Sequence, residues 1–145
     1  MTTIEIAVQD AAGARQAGER AGRAVEVTFH RAFDLVPDRL AALDTLIGLG
    51  YTRVLTSGGA PSVPKGLTAL SELASHAAGR IQIQAGGGLS PAVIPAARAT
   101  GVDAVHLSAK TTVLSEGGPG GGGAAPIEVT DRATVRAAVA AAHAA

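Results

Sequence analysis

At 145 residues the chain points to one domain, 1–145, long enough to bury a single core. Twelve basic and twelve acidic side chains give no net charge and no like-charge run, which excludes a nucleic-acid groove or an anionic membrane surface as the main partner. The lack of cysteine excludes disulfides, Cys-ligated zinc, iron–sulfur clusters and a thiolate nucleophile. No apolar stretch reaches the roughly 18 residues of a membrane helix, and the opening MTTIEIAVQD has no basic-then-apolar signal pattern. The expectation is a soluble, cytoplasmic protein. Aromatic residues are few: Phe29, Phe33 and Tyr51. Alanine and glycine make up about a third of the chain, so Val, Ile and Leu must supply the core.

In chain order, TIEIAV (3–8) is a short apolar run suited to a buried strand. Residues 10–22 are rich in Ala, Arg and Glu and read as a helix with Asp10 as N-cap. AVEVTFH (24–30) is β-branched and strand-like. Pro37 opens a helix over 38–50, with Leu40, Leu43 and Ile47 on one face. TRVLTS (52–57) is a strand, 66–79 a helix, and RIQIQAGGG (80–88) a strand running into glycines. Residues 90–101 form a helix with Ser90 as N-cap and Pro91 at its first position. VDAVHLSA (102–109) is a strand. EGGPGGGGAAP (116–126) is a flexible, glycine-rich linker without periodicity, expected not to pack. Residues 130–145 form the last helix, capped by Thr130 or Asp131.

This is a β-α unit five times over, the pattern of right-handed crossovers and a parallel sheet. The strands read as near-continuous apolar runs, as when both faces of a sheet are covered. An α/β fold follows, either an open doubly wound sheet or an arc of a (β/α)₈ barrel. A complete barrel needs about 250 residues.

In either architecture, sites gather at the carboxyl ends of the parallel strands. After the second strand come His30, Arg31 and Asp34. Histidine exchanges protons near neutral pH, arginine grips carboxylate or phosphate through two parallel bonds, and aspartate orients either. The plain alternative is that Arg31 and Asp34 pair with each other and cap the next helix. Thr56-Ser57-Gly58 and Gly86-Gly87-Gly88 end the next two strands and offer amide groups for an anion. Their plain alternative is a tight turn that needs positive φ. His106 and Ser108 end the fifth strand. Glu5 lies inside the first strand, where a carboxylate is costly unless paired or aimed into a polar mouth. The catalytic candidates are therefore Glu5, His30, Arg31, Asp34 and His106. The anion-binding candidates are Thr56, Ser57, Gly58, Gly86, Gly87, Gly88 and Ser108. No H-x-H, H-x-x-x-H or C-x-x-C spacing occurs, so His30 and His106 are weak metal ligands at best.

The octapeptide Val27-Thr28-Phe29-His30-Arg31-Ala32-Phe33-Asp34 resembles the CutC family of copper homeostasis proteins. The likeness continues through Arg53–Gly59, Gln84–Gly88 and Val105–Ser108. The opening, Ile4–Ala12, looks like that family's first strand and helix, with Ala7 where such proteins often carry cysteine. The resemblance implies a TIM barrel and a cytoplasmic protein linked to copper tolerance, with copper a candidate ligand and no cofactor required. It also implies an internal deletion. Only about 15 residues separate Val8 from Ala24, room for one helix, so five of the eight barrel units remain. Cu(I) prefers thiolate and thioether ligands, and the chain has no Cys and only Met1. Beside the copper reading stand an enzyme for a small phosphorylated or carboxylated metabolite, and an inactive remnant.

Three expectations follow for the structure. Glu5, His30, Arg31, Thr56, Gly87, His106 and Ser108 should converge at one end of the sheet. A closed barrel of five parallel strands leaves too little room for side chains, so sheet edges should remain unpaired. Such edges favour either a homo-oligomer that buries them or a marginally stable, aggregation-prone chain.

Overall fold

A computed structural model describes residues 26–115 and 124–143. The expected strand at 3–8, the helix at 10–22, Glu5 and residues 116–123 of the glycine-rich linker lie outside the described residues. Four strands, β1 (Thr28–Phe29), β2 (Arg53–Thr56), β3 (Gln82–Gly86) and β4 (Ala104–His106), form one parallel sheet in the order β1-β2-β3-β4. Helices α1 (Arg39–Gly48), α2 (Val63–Ala77) and α3 (Ile94–Ala99) follow the first three strands. The alternation expected from the sequence is present: parallel neighbours joined by helical crossovers.

Strand alternation decides which residues meet the helices. Val54, Ile83 and Ala85 are fully buried, and with Leu43, Leu46, Leu70, Leu73 and Phe33 they form the core. The other face carries Thr28, Arg53, Leu55, Gln82, Gln84 and His106 in register. This departs from the expected apolar runs on both faces. Arg53 crosses that face, donating from Nε to Gln82 Oε1 (2.9 Å) and from Nη2 to Glu26 Oε2 (3.1 Å).

Several boundaries differ from the expected ones, each for a local reason. Among the described residues the strand expected over 24–30 covers Thr28–Phe29, and it ends there because the chain turns at once into a 3₁₀ helix, Arg31–Leu35. Helix α2 starts at Val63 rather than 66, with a proline in its first turn; the Val63 amide is taken by the Gly87 carbonyl at 2.9 Å. The helix expected over 90–101 is split into a 3₁₀ turn, Pro91–Val93, and α3. Pro95 has no N–H to give the Pro91 carbonyl, which instead accepts from Ile94.

The strand expected over 102–109 ends at His106. Beyond it the chain forms an antiparallel hairpin of β5 (Lys110–Leu114) and β6 (Pro126–Thr130), paired from Lys110↔Thr130 to Leu114↔Pro126. Pro126, expected at the end of the linker, is thus a strand residue. The hairpin is exposed, and Val113, Leu114, Ile127 and Val129 present apolar side chains on it. Helix α4 (Arg132–His143) follows, capped by Asp131, whose Oδ2 accepts from the Thr134 amide at 2.9 Å. It packs on α3 and the turn before it.

Candidate functional site

The site begins with the five-residue 3₁₀ helix, Arg31–Leu35, that follows β1. A 3₁₀ helix superposes residues i and i+3, which brings Arg31 and Asp34 together. Arg31 Nε donates to Asp34 Oδ2 at 2.8 Å, and Nη2 donates to Ser57 Oγ at 2.8 Å. Asp34 also draws in the end of β2. Its Oδ1 accepts from Thr56 Oγ1 and from the amides of Ser57 (3.1 Å) and Gly59 (2.9 Å). Ser57 Oγ lies 3.0 Å from Asp34 Oδ2 and 2.6 Å from the Ala60 carbonyl, with one proton to give.

The side chain of Asp34 is only 7% exposed. Burial opposes its ionisation, but the hydrogen bonds from Thr56, Arg31, Gly59 and Ser57 outweigh that cost. They hold its pKa below the ordinary carboxylate value. The amide cluster at Thr56-Ser57-Gly58, expected to receive an external anion, is therefore occupied by an internal one. The Gly58 amide is taken as well, by Thr56 Oγ1 at 2.9 Å. The pairing of Arg31 with Asp34 is present too. Asp34, however, does not cap the next helix; Asp38 does, accepting from the Ala41 amide at 3.0 Å.

A cleft of about 320 Å³ opens at the carboxyl ends of β2, β3 and β4. Arg31, Gly87, Gly88, His106 and Ser108 line it, with Leu55, Leu89 and Leu107 beside them. Gly87 has φ +107°, and a Cβ there would fall 2.6 Å from Arg31 Nη1. Only glycine lets the turn pass this close to the guanidinium. Gly86 serves packing instead: a Cβ on it would meet Leu55 Cδ1 at 2.6 Å and His106 Cβ at 3.3 Å.

The expected convergence is thus found for Arg31, Gly87, His106 and Ser108, with Thr56 one step behind through Asp34. His30 stands apart from the lining. Its Nδ1 accepts from the Ala32 amide at 3.0 Å, and its ring stacks on Phe29 with centroids 5.3 Å apart. The three leucines of the cleft were not anticipated. Their signal was positional: Leu55, Leu89 and Leu107 sit within or just beyond strand ends, where polar residues drew the reading.

Copper does not fit the donors present. The chain has no Cys and one Met, Met1. His30 Nδ1 is committed to the backbone. Among the described residues no group of three His, Cys, Asp or Glu side chains could hold a metal ion.

The parallel sheet, its helices and a cleft at the strand ends define an α/β protein built as an arc of a TIM barrel. The chain matches the CutC family over residues 5–111 and belongs to it. Relatives include a CutC protein of Vibrio vulnificus strain YJ016, 51% identical over 87 residues, covering 59% of this chain and 35% of that one. The human copper homeostasis protein cutC homolog is 44% identical over 91 residues, covering 62% of this chain and 33% of its own. The match spans about a third of these curated relatives. Among solved structures, CutC from Streptococcus agalactiae superposes with a TM-score of 0.58 at 27% identity, covering 72% of this chain and 53% of that one. The shortening expected between Val8 and Ala24 falls outside the described residues. No described helix is long and apolar enough to cross a membrane.

Proposed function

We propose that this CutC-family chain binds a small carboxylated or phosphorylated metabolite in the strand-end cleft, with Arg31 as the anion-gripping residue. The observation that carries this reading is the way Arg31 is held. Two of its five N–H donors are fixed on Asp34 and Ser57. The remaining donors, on Nη1 and Nη2, have no protein partner among the described residues, and Arg31 lines the cleft. A guanidinium pinned on one edge and open on the other is preorganised for a planar or tetrahedral anion. His106 and Ser108 stand in the same lining and add polar side chains beside the guanidinium. The copper link carried by the human relative's name comes to this chain through the family; the chain's own donor set favours the anion. A cytoplasmic setting accords with both.

Nuclear magnetic resonance titration with acetate or phosphate at constant ionic strength tests the reading. The amides of Gly87, Gly88 and Ser108 should shift, and Arg31→Gln should weaken binding by about tenfold or more, the usual worth of a charge-assisted hydrogen bond. Equal binding by the variant would contradict it.

The exposed apolar side chains of the hairpin, with β1 and β4 at the edges of the described sheet, support self-association of the chain. Light scattering after size exclusion should give a mass above that of one 14.3 kDa chain; a sharp monomer peak would refute it.

A further inference from the structure

We infer that the ligand of the cleft is a small monocarboxylate with an apolar tail, rather than a sugar phosphate; this rests on the anion reading above. Three observations carry the choice. The first is charge. Arg31 is the only fixed cation among the described lining residues, and Asp34 already balances it at 2.8 Å. A phosphate monoester brings about −1.5 to −2 charges, which this lining leaves largely uncompensated. A carboxylate brings one.

The second observation is shape. The Nε and Nη2 donors aimed at Asp34 and Ser57 use the side edge of the guanidinium. What remains is the end edge, where Nη1 and Nη2 hold two parallel N–H groups. That spacing matches the two oxygens of one carboxylate.

The third is the rest of the wall. Leu55, Leu89 and Leu107 are half-buried, and their remaining surface borders the cleft. A polyhydroxylated ligand would leave hydroxyls against these leucines without partners, a costly outcome. An aliphatic tail would cover them. The volume of about 320 Å³ sits at the lower end of small-molecule sites, so the tail is short.

The experiment measures dissociation constants for acetate, isocaproate, inorganic phosphate and glycerol phosphate with the whole chain at fixed ionic strength. Isocaproate should bind at least about tenfold tighter than acetate, since each buried methylene is worth roughly fourfold in affinity. In Leu107→Asn the isocaproate-to-acetate ratio should fall towards one. Arg31→Gln should weaken both carboxylates together. If phosphate or glycerol phosphate binds tighter than isocaproate, and Arg31→Gln abolishes that binding, the tail inference is overturned while the anion reading stands. If isocaproate and acetate bind alike, the inference is likewise overturned. If no anion binds in an Arg31-dependent way, both fail together.

Discussion

Gly66→Ala should cost upwards of about 3 kcal/mol, beyond the usual range for overpacking. On helix propensity alone the change would help, because glycine inside a helix is about 1 kcal/mol worse than alanine. Packing decides otherwise. A Cβ on Gly66 would sit 1.8 Å from the Ser57 carbonyl oxygen. That atom belongs to backbone, and Ser57 is fully buried between Asp34 and α2. Neither partner can step aside without moving the β2–α2 loop that holds the carboxylate. The substitution should therefore unfold the protein at room temperature or leave it far below wild type in denaturant titration. A variant of equal or greater stability would show that α2 does not press on this loop.

Asp34→Ala should cost about 2–3 kcal/mol, chiefly by leaving buried donors without an acceptor, since the Arg31 side chain is 40% exposed and can turn to water. The loss leaves the Ser57 and Gly59 amides and the Thr56 hydroxyl without their acceptor. The effect depends on pH in one direction. The folded protein lowers the Asp34 pKa beneath its ordinary 3.8. The unfolded chain therefore binds its proton first as pH falls, and the carboxylate's contribution is fully present above about pH 4 and lost as pH drops through the folded value. Asp34→Asn should thus lie well below wild type in stability at pH 7, and the gap should narrow as pH falls below about 4. A gap of constant size across that range would contradict the linkage. Both Asp34 variants should also bind carboxylates weakly, because Arg31 loses the bond that fixes its Nε.

The sheet was legible because its strands are short β-branched runs and its helices carry leucines at helical spacing. The cores of α1, with Leu43 and Leu46, and of α2, with Leu70 and Leu73, lie within the expected helices. The β5–β6 hairpin was not legible. The pattern was there, in KTTVL and IEVT, but a Gly-rich stretch between them read as a linker rather than as the connection of two strands. The split before α3 needed the missing N–H of Pro95 to be matched with the Pro91 carbonyl.

In the site, the sequence brought out Arg31, Gly87, His106 and Ser108, because each falls near a strand's carboxyl end. It misplaced the role of Thr56 and Ser57. A cluster of amides at a strand end attracts an anion in any sequence reading. Nothing local reveals that a carboxylate 23 residues upstream already fills it. That knowledge needs the tertiary fold, as does the separation of His30, whose Nδ1 turns back to cap the 3₁₀ helix.

A crystal structure of the chain soaked with isocaproate bears most directly on the central claim, that Asp34 and Ser57 hold Arg31 so that its free edge grips an anion in the cleft. The account predicts a carboxylate bonded to Arg31 Nη1 and Nη2 at about 2.7–3.2 Å, beside the Gly87 turn and with its tail on the leucines. The Arg31–Asp34 bond should be unchanged. A carboxylate bound elsewhere on the chain, or an Arg31 that leaves Asp34 to meet it, would contradict the account.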